Sequence, residues 1–277
     1  MCLTTTIARI FRRALAAAML LVALSSVGHA QTHHYEVSYR GVFSLGNDMP
    51  IAALSLATEA VADSVQQTRL VASSEPYAVV ESLYPIRYRF RSWSRPDNGH
   101  LLGFETYEQT RREKHRLYVR DASALGVRKL DLMTGDGDGE LQRLEAGIAP
   151  ALDSAVPLFD RLGLLQHIRH EPLRAGLELR LPVTNGRDSM AYRVRVEGTP
   201  LLRLGRQSLP SWKLRLDAFE HDAAGKERPV HRSAFVWLSR DAARIPLRAE
   251  VRHEIGLFSV QLTGASPGER LAGLARR

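Results

Sequence analysis

Four groups of residues in this sequence have types and spacings that could do chemistry. The first is Gly264-Ala265-Ser266-Pro267-Gly268, a G-x-S-x-G pattern at the end of an alternating apolar run. In serine hydrolases this elbow exposes a nucleophilic hydroxyl at a strand-to-helix turn. Here no histidine follows Ser266 to serve as base. Pro267 also stands where a helix-start N–H should stabilise an oxyanion. The second group, Asp136-Gly137-Asp138-Gly139-Glu140, alternates carboxylates as the opening of a calcium loop does. Leu141 replaces the glycine such a loop needs for its bend, and Gly147 replaces its closing bidentate glutamate. The third group is His167 and His170 with Glu171. Helical spacing puts both imidazoles on one face, yet it names only two zinc ligands where three or four are required. H-E-x-x-H is absent because Ile168 follows His167, and a histidine near a helix C-terminus is favoured by the dipole without any metal. The fourth group is the adjacent pair His33 and His34.

There is no P-loop and no dinucleotide fingerprint, and strands do not alternate with helices as those folds require. No spacing points to the paired acids of a glycosidase. The sequence therefore assigns no catalytic residue, no metal ligand and no cofactor.

The elements that would position such groups are mostly strands. Tyr35, Val37 and Tyr39 alternate with Glu36, Ser38 and Arg40. The same two-residue rhythm recurs in Ile86–Arg91, Leu177–Val183, Met190–Glu197, Trp212–Asp217, Leu247–Arg252 and Phe258–Thr263. Successive strand side chains point to opposite faces, so each run has one apolar and one wet face, the mark of antiparallel sheet. Asn185-Gly186 between two such runs signals a hairpin. The stretch 47–63 is alanine-rich and alternates poorly. Two helices are expected. A short one spans Tyr77 to Tyr84, between Pro76 and Pro85. A central one spans 155–167, with Ser154 as N-cap and Val156, Phe159, Leu162 and Leu165 at helical spacing. About a dozen strands must bury their shared apolar face and manage their edges. The expected fold is mainly β: a strongly curved antiparallel sheet, a half-closed or closed barrel, with one central helix and one short helix.

Residues 1–30 read as a cleavable signal peptide. Arg9, Arg12 and Arg13 precede the apolar run Ala14–Leu24, and Gly28-His29-Ala30 places small residues for cleavage before Gln31. The run is about half the ~20 residues that span a bilayer, and no mature segment could cross as a helix. Cys2, the sole cysteine, lies within the signal, so the mature chain has no disulfide, thiolate ligand or cysteine nucleophile. Residues 31–264 form one expected domain, and 265–277 a basic tail. The signal's three arginines account for +3 of the net charge of +8. No basic stripe or recognised module accompanies the remainder, so nucleic acid is not an expected partner.

Trp237-Leu238-Ser239, then Asp241, Arg244 and Ile245-Pro246, resembles the hallmark of an exported bacterial family catalogued as domain of unknown function 3108. There a strand ending in Trp-Leu-Ser/Thr leads through x-Asp and a basic residue to an x-Pro that starts the next strand. Asn185-Gly186-Arg187 through Val194 and the opening Tyr35-x-Val37-x-Tyr39-x-Gly41 are similar to the family as well. The resemblance spans residues 33–264 and implies an envelope location and a β-rich fold, with no activity or catalytic residue to transfer. The signature Trp237, Asp241, Arg244 and Pro246 reads as structural. Trp237 is expected in the core, Asp241 to accept turn N–H groups and pair with Arg244, and Pro246 to start a strand.

The expected function is that of a non-catalytic periplasmic envelope protein binding an apolar or lipid-like ligand in its curved sheet. The alternatives are a protein-interaction scaffold of the envelope and a hydrolase of envelope polymers. The expected partners are a lipid or other apolar ligand and an envelope protein.

Overall fold

The computed structural model describes residues 31–109, 113–121, 126–130, 144, 146–221, 226–230 and 233–265. The signal segment, the carboxylate loop 136–140 and the tail 266–277 with Ser266, Pro267 and Gly268 lie outside the described residues. In chain order the first strands are β1 (Gln31–Gly41), β2 (Met49–Ala62), β3 (Val65–Ser73), β4 (Arg87–Ser94), β5 (Leu101–Gln109), β6 (Glu113–Arg120) and β7 (Val127–Leu130). After them come β8 (Glu178–Thr184), β9 (Ser189–Gly198), β10 (Leu201–Leu204), β11 (Gln207–His221), β12 (Glu227–Pro229), β13 (Ala234–Ser239), β14 (Pro246–His253) and β15 (Gly256–Ala265). Helix α1 (Ala78–Leu83) links β3 to β4, and α2 (Arg161–His170) precedes β8.

The fifteen described strands form one antiparallel sheet, thirteen of them ordered β7-β6-β5-β4-β3-β2-β1-β15-β14-β13-β11-β9-β8, with β10 and β12 each paired to β11 off this path. The first and last strands lie side by side at its centre, where β1 pairs with β15. Register makes the inner face continuous. Val37 faces Val260, which faces Ala249, then Val236, Leu214 and Val196 across successive strands, and all six are buried. Each buried aliphatic side chain contributes about 1.5–3 kcal/mol relative to exposure, so a one-residue slip in any strand is strongly disfavoured. The outer row one residue along runs Ser38, Ser259, Glu250, Phe235, Arg215 and Arg195.

The sheet curls until its ends nearly meet. A short crossing segment fills the seam. Phe159 donates its N–H to Pro182 O (3.0 Å) and accepts from Thr184 N (2.8 Å), while Leu158 O accepts from Leu101 N (2.8 Å). The β8–β9 hairpin packs beside it, for a Cβ on Gly186 would meet the Tyr118 ring at 2.6 Å. Gly186 sits at φ 92°, the left-handed turn conformation that Asn-Gly favours. The result is a nearly closed barrel.

Two elements differ from expectation. The central helix begins at Arg161, not 155. Phe159 is held as a bridge to Val183, and Asp160 accepts from Gly163 N (2.7 Å), so the N-cap is Asp160 rather than Ser154. The alanine-rich stretch 47–63 forms β2, fourteen residues long. It is paired along its length with β1 on one side and β3 on the other.

Candidate functional site

Helix α2 occupies the barrel's interior, and the chemistry of the interior is the chemistry of its surroundings. Leu162, Leu164, Leu165 and Ile168 of α2 are buried. Leu164, Leu165 and Ile168 face Leu214 and Leu216 of β11 and Val236 of β13 across a narrow apolar interstice too tight for water. Gly163 permits close approach at the N-terminal end, since a Cβ there would meet Gly99 O at 2.6 Å.

Polar groups fasten the other end. Gln166 is buried and donates from Nε2 to Thr68 Oγ1 (3.0 Å) and Thr58 Oγ1 (3.3 Å). Its Oε1 accepts from Arg169 Nη1 at 2.8 Å. Arg169 also donates from Nε to Arg244 O (3.1 Å) and from Nη2 to Ala243 O. Arg244 answers in kind, donating from Nη1 to Arg169 O (2.6 Å) and Glu171 O. These carbonyls belong to the last turn of α2, which has no partners within the helix. Burial lowers the pKa of both guanidiniums, that of Arg169 to about 9, so it stays protonated at neutral pH.

Three signature residues converge on this clamp. Asp241 accepts from Arg244 N (3.0 Å) and from Ser239 Oγ (2.8 Å), holding Arg244 at φ 46°. The Arg244 side chain reaches the helix instead of pairing with Asp241. Pro246 opens β14, and its carbonyl accepts from the buried Tyr35 hydroxyl (3.2 Å). Trp237 stands elsewhere. Val236 faces inward, so strand alternation turns Trp237 to the outer face. There it is half-buried, with Lys213 Nζ at 5.8 Å and Arg248 Cζ at 6.0 Å from its ring. The expectation that Trp237 sits in the core is corrected by that parity.

The histidine pairs separate. His167 Nδ1 donates to Asn98 O (3.0 Å), its Nε2 meets Glu171 Oε1 (3.3 Å), and its ring lies 4.8 Å from Phe159. His170 is exposed at the last residue of α2. Among the described residues, no three His, Cys, Asp or Glu side chains are grouped to hold a metal. His33 and His34 point to opposite faces of β1, His33 buried and His34 exposed.

Among the described residues, neither His33 ring nitrogen has a partner. Burial, then the nearby Arg169 charge and His34, lowers its pKa from 6.5 to about 4. The unfolded chain therefore takes up this proton first, and stability is lost as pH falls from 6.5 toward 4. His100 is lowered by burial and acts in the same direction. Asp160 opposes them. Burial raises its pKa from 3.8 to about 6, so the folded chain protonates first and gains stability as pH falls through 6 toward 3.8. Each of these two effects is worth about 1–2 kcal/mol between pH 7 and 5. His33→Phe should make the loss of urea-unfolding stability on acidification shallower, and Asp160→Asn should make it steeper than in wild type. Identical pH slopes in wild type and His33→Phe would remove His33 from this account.

Gln166, Arg169, Asp160 and His100 were not singled out from the sequence. A signal for the first two was present, because Gln166 and Arg169 are polar residues three apart, interrupting the apolar face set by Leu162 and Leu165. Among the described residues, no helix is long and apolar enough to cross a membrane.

The sequence pattern of the family described as protein of unknown function (DUF3108) matches residues 34–263. No curated protein matches the chain. Several solved structures are similar at low identity. A β-barrel-like protein of domain of unknown function DUF1849 from Brucella abortus is 11% identical with a TM-score of 0.49, covering 89% of this chain and 100% of that one. The hypothetical lipoprotein YmcC from Escherichia coli is 7% identical with a TM-score of 0.34, covering 96% and 98%. The Mycobacterium tuberculosis lipoprotein LppX is 13% identical with a TM-score of 0.28, again covering 96% and 98%.

Proposed function

Because the chain belongs to the family described as protein of unknown function (DUF3108), which brings no activity with it, we propose a role from the geometry of its barrel. The protein is a non-catalytic component of the periplasm that binds an apolar or lipid-like ligand between α2 and the inner face of the sheet. The observation that carries this reading is the wholly aliphatic interstice formed by Leu164, Leu165, Ile168, Leu214, Leu216 and Val236. The space left between these side chains does not admit even a water molecule, whereas typical ligand pockets run to ~300–1,000 Å³. In this conformation α2 fills the place a ligand would take, so binding requires the helix to lift. The clamp of Arg169 and Arg244 sets the cost of that movement.

The test is to recover the protein from the periplasmic fraction, extract it with organic solvent for mass spectrometry, and titrate the stripped protein with a hydrophobic fluorophore. The reading expects a co-purifying amphiphile and saturable dye binding. Leu214→Trp, which fills the interstice, should weaken dye binding by roughly tenfold. No amphiphile together with no saturable binding would overturn it.

The scaffold reading is favoured by a different observation. Five exposed apolar side chains stand at one end of the sheet. Val42, Phe43 and Leu45 follow β1, and Val79 and Leu83 lie on α1 after β3. Leu45 is 90% exposed at φ 52°, an uncommon backbone conformation for leucine. Surface apolar groups gathered in this way mark interaction sites more often than scattered ones do.

A further inference from the structure

At the seam of the barrel the last residue of β6, Arg120, is 3% exposed. Its Nη2 donates to Val156 O at 2.6 Å. Its Nε and Nη1 are enclosed and have no hydrogen-bond partner among the described residues. Burial lowers its pKa, and among the described residues no carboxylate opposes that shift. A buried cation without counter-charge carries one of the larger desolvation penalties in a folded chain, and structures that keep one usually neutralise it.

A second group with spare capacity lies beside it. His100 directly precedes β5 and stacks edge-on against Phe159 at 5.4 Å. Its Nδ1 is enclosed and likewise has no partner among the described residues. Burial depresses the His100 pKa most, followed by the nearby charges of His167, Arg120 and Arg95. The neighbouring acid, Asp97, is engaged by Arg95 Nε at 3.3 Å. Arg120, with two spare donors, and the His100 ring thus lie against the crossing segment 156–159, at Val156 O and at the Phe159 ring respectively, with positive charge in excess among the described residues.

We propose that Arg120 and His100 form a binding site for an anionic group, a carboxylate or a phosphate, at the seam between β5, β6 and the 156–159 crossing. A guanidinium suits this task because it stays charged when buried and offers directional donors to oxyanions. The anion is either a small free species or the headgroup of an amphiphile whose chain lies along the apolar interior. The site goes beyond the apolar-ligand reading and survives its failure, because its donors are unmatched whether or not a chain is bound.

The experiment is titration calorimetry on the whole exported protein at constant ionic strength with inorganic phosphate, acetate and decanoate. Saturable binding of at least one probe is expected. Arg120→Met, close in shape and uncharged, should weaken it by roughly tenfold or more, whereas Arg69→Met, at an exposed cation on β3, should leave it unchanged. If Arg120→Met does not fold, His100→Phe replaces it, with weaker binding expected again. Phosphate or acetate binding that needs Arg120 identifies a small-anion site. Decanoate binding that needs Arg120, without binding of the other two, identifies an amphiphile headgroup site. Decanoate binding indifferent to Arg120 and His100 overturns this inference and leaves the apolar-ligand reading standing. Absence of saturable binding for all three probes overturns it outright.

Discussion

Arg169→Ala is expected to lower stability by about 3–5 kcal/mol, the cost of leaving its three buried acceptors without a donor. The side chain holds Gln166 Oε1 and the carbonyls of Ala243 and Arg244. Without it three acceptors lose a donor in a region water reaches poorly, and each such loss costs about 1–3 kcal/mol. Arg244 would keep its grip on the Arg169 and Glu171 carbonyls, which are backbone groups and remain in the variant. The loop 240–245 that carries Arg244 would nevertheless loosen, so a second substitution, Arg244→Ala, should add less in the double variant than it costs alone. Urea unfolding of the four members of this cycle measures the coupling. Hydrogen exchange should place the loss in the amides of 161–170. A cost for Arg169→Ala below about 1 kcal/mol, the net worth of a single ordinary hydrogen bond, would mean that the clamp does not hold the helix.

Phe159→Ala should cost a similar amount, about 3–5 kcal/mol, by the usual scale for emptying a fully buried aromatic site. The residue is 0% exposed and packs against the rings of His100 and His167. Its backbone carries the bridge between β8 and the seam, through Pro182 O and Thr184 N. The substitution keeps those backbone groups but removes the side chain that locks the crossing in place. Faster exchange at the amides of Thr184 and Leu101 is therefore expected to accompany the lower unfolding midpoint. Phe159→Leu, which keeps most of the volume, should recover more than half of the loss. If both variants leave the Thr184 and Leu101 amides as protected as in wild type, the seam is held by something other than this ring.

The two predictions concern residues of unequal visibility in the sequence. The strands were legible because an inward-facing set repeating every second residue has no other stable use. Val37, Val196 and Val260 alternate with polar neighbours, and the structure places all three on one buried row. Asn185-Gly186 marked its hairpin because few other pairs tolerate the required φ. The stretch 49–62 was not legible as a strand, because alanine on both faces erases the contrast that alternation relies on. The central helix was found but misplaced. Val156 and Phe159 have helical spacing, yet Phe159 is recruited to the seam by β8, a partner more than twenty residues further on.

The candidate site was harder still. Asp241, Arg244 and Pro246 stood out as a turn-and-strand pattern, but their joint task of closing the end of α2 depends on contacts more than seventy residues apart. Trp237 was misread because large size suggests the core, whereas parity with Val236 decides its side. Arg120 and His100 gave no sign at all. A buried unmatched donor is a property of surroundings, and one arginine among 38 basic residues carries no mark of burial.

The amino-acid order alone thus determined the β class, the antiparallel pairing and the family, because these follow from local rhythm and short contiguous motifs. Only the folded chain decided how far the sheet curls, which element plugs it, and which charged groups end up enclosed. Those outcomes are set by packing between segments distant in sequence, where the energy of a side chain depends on neighbours that its own local pattern does not encode.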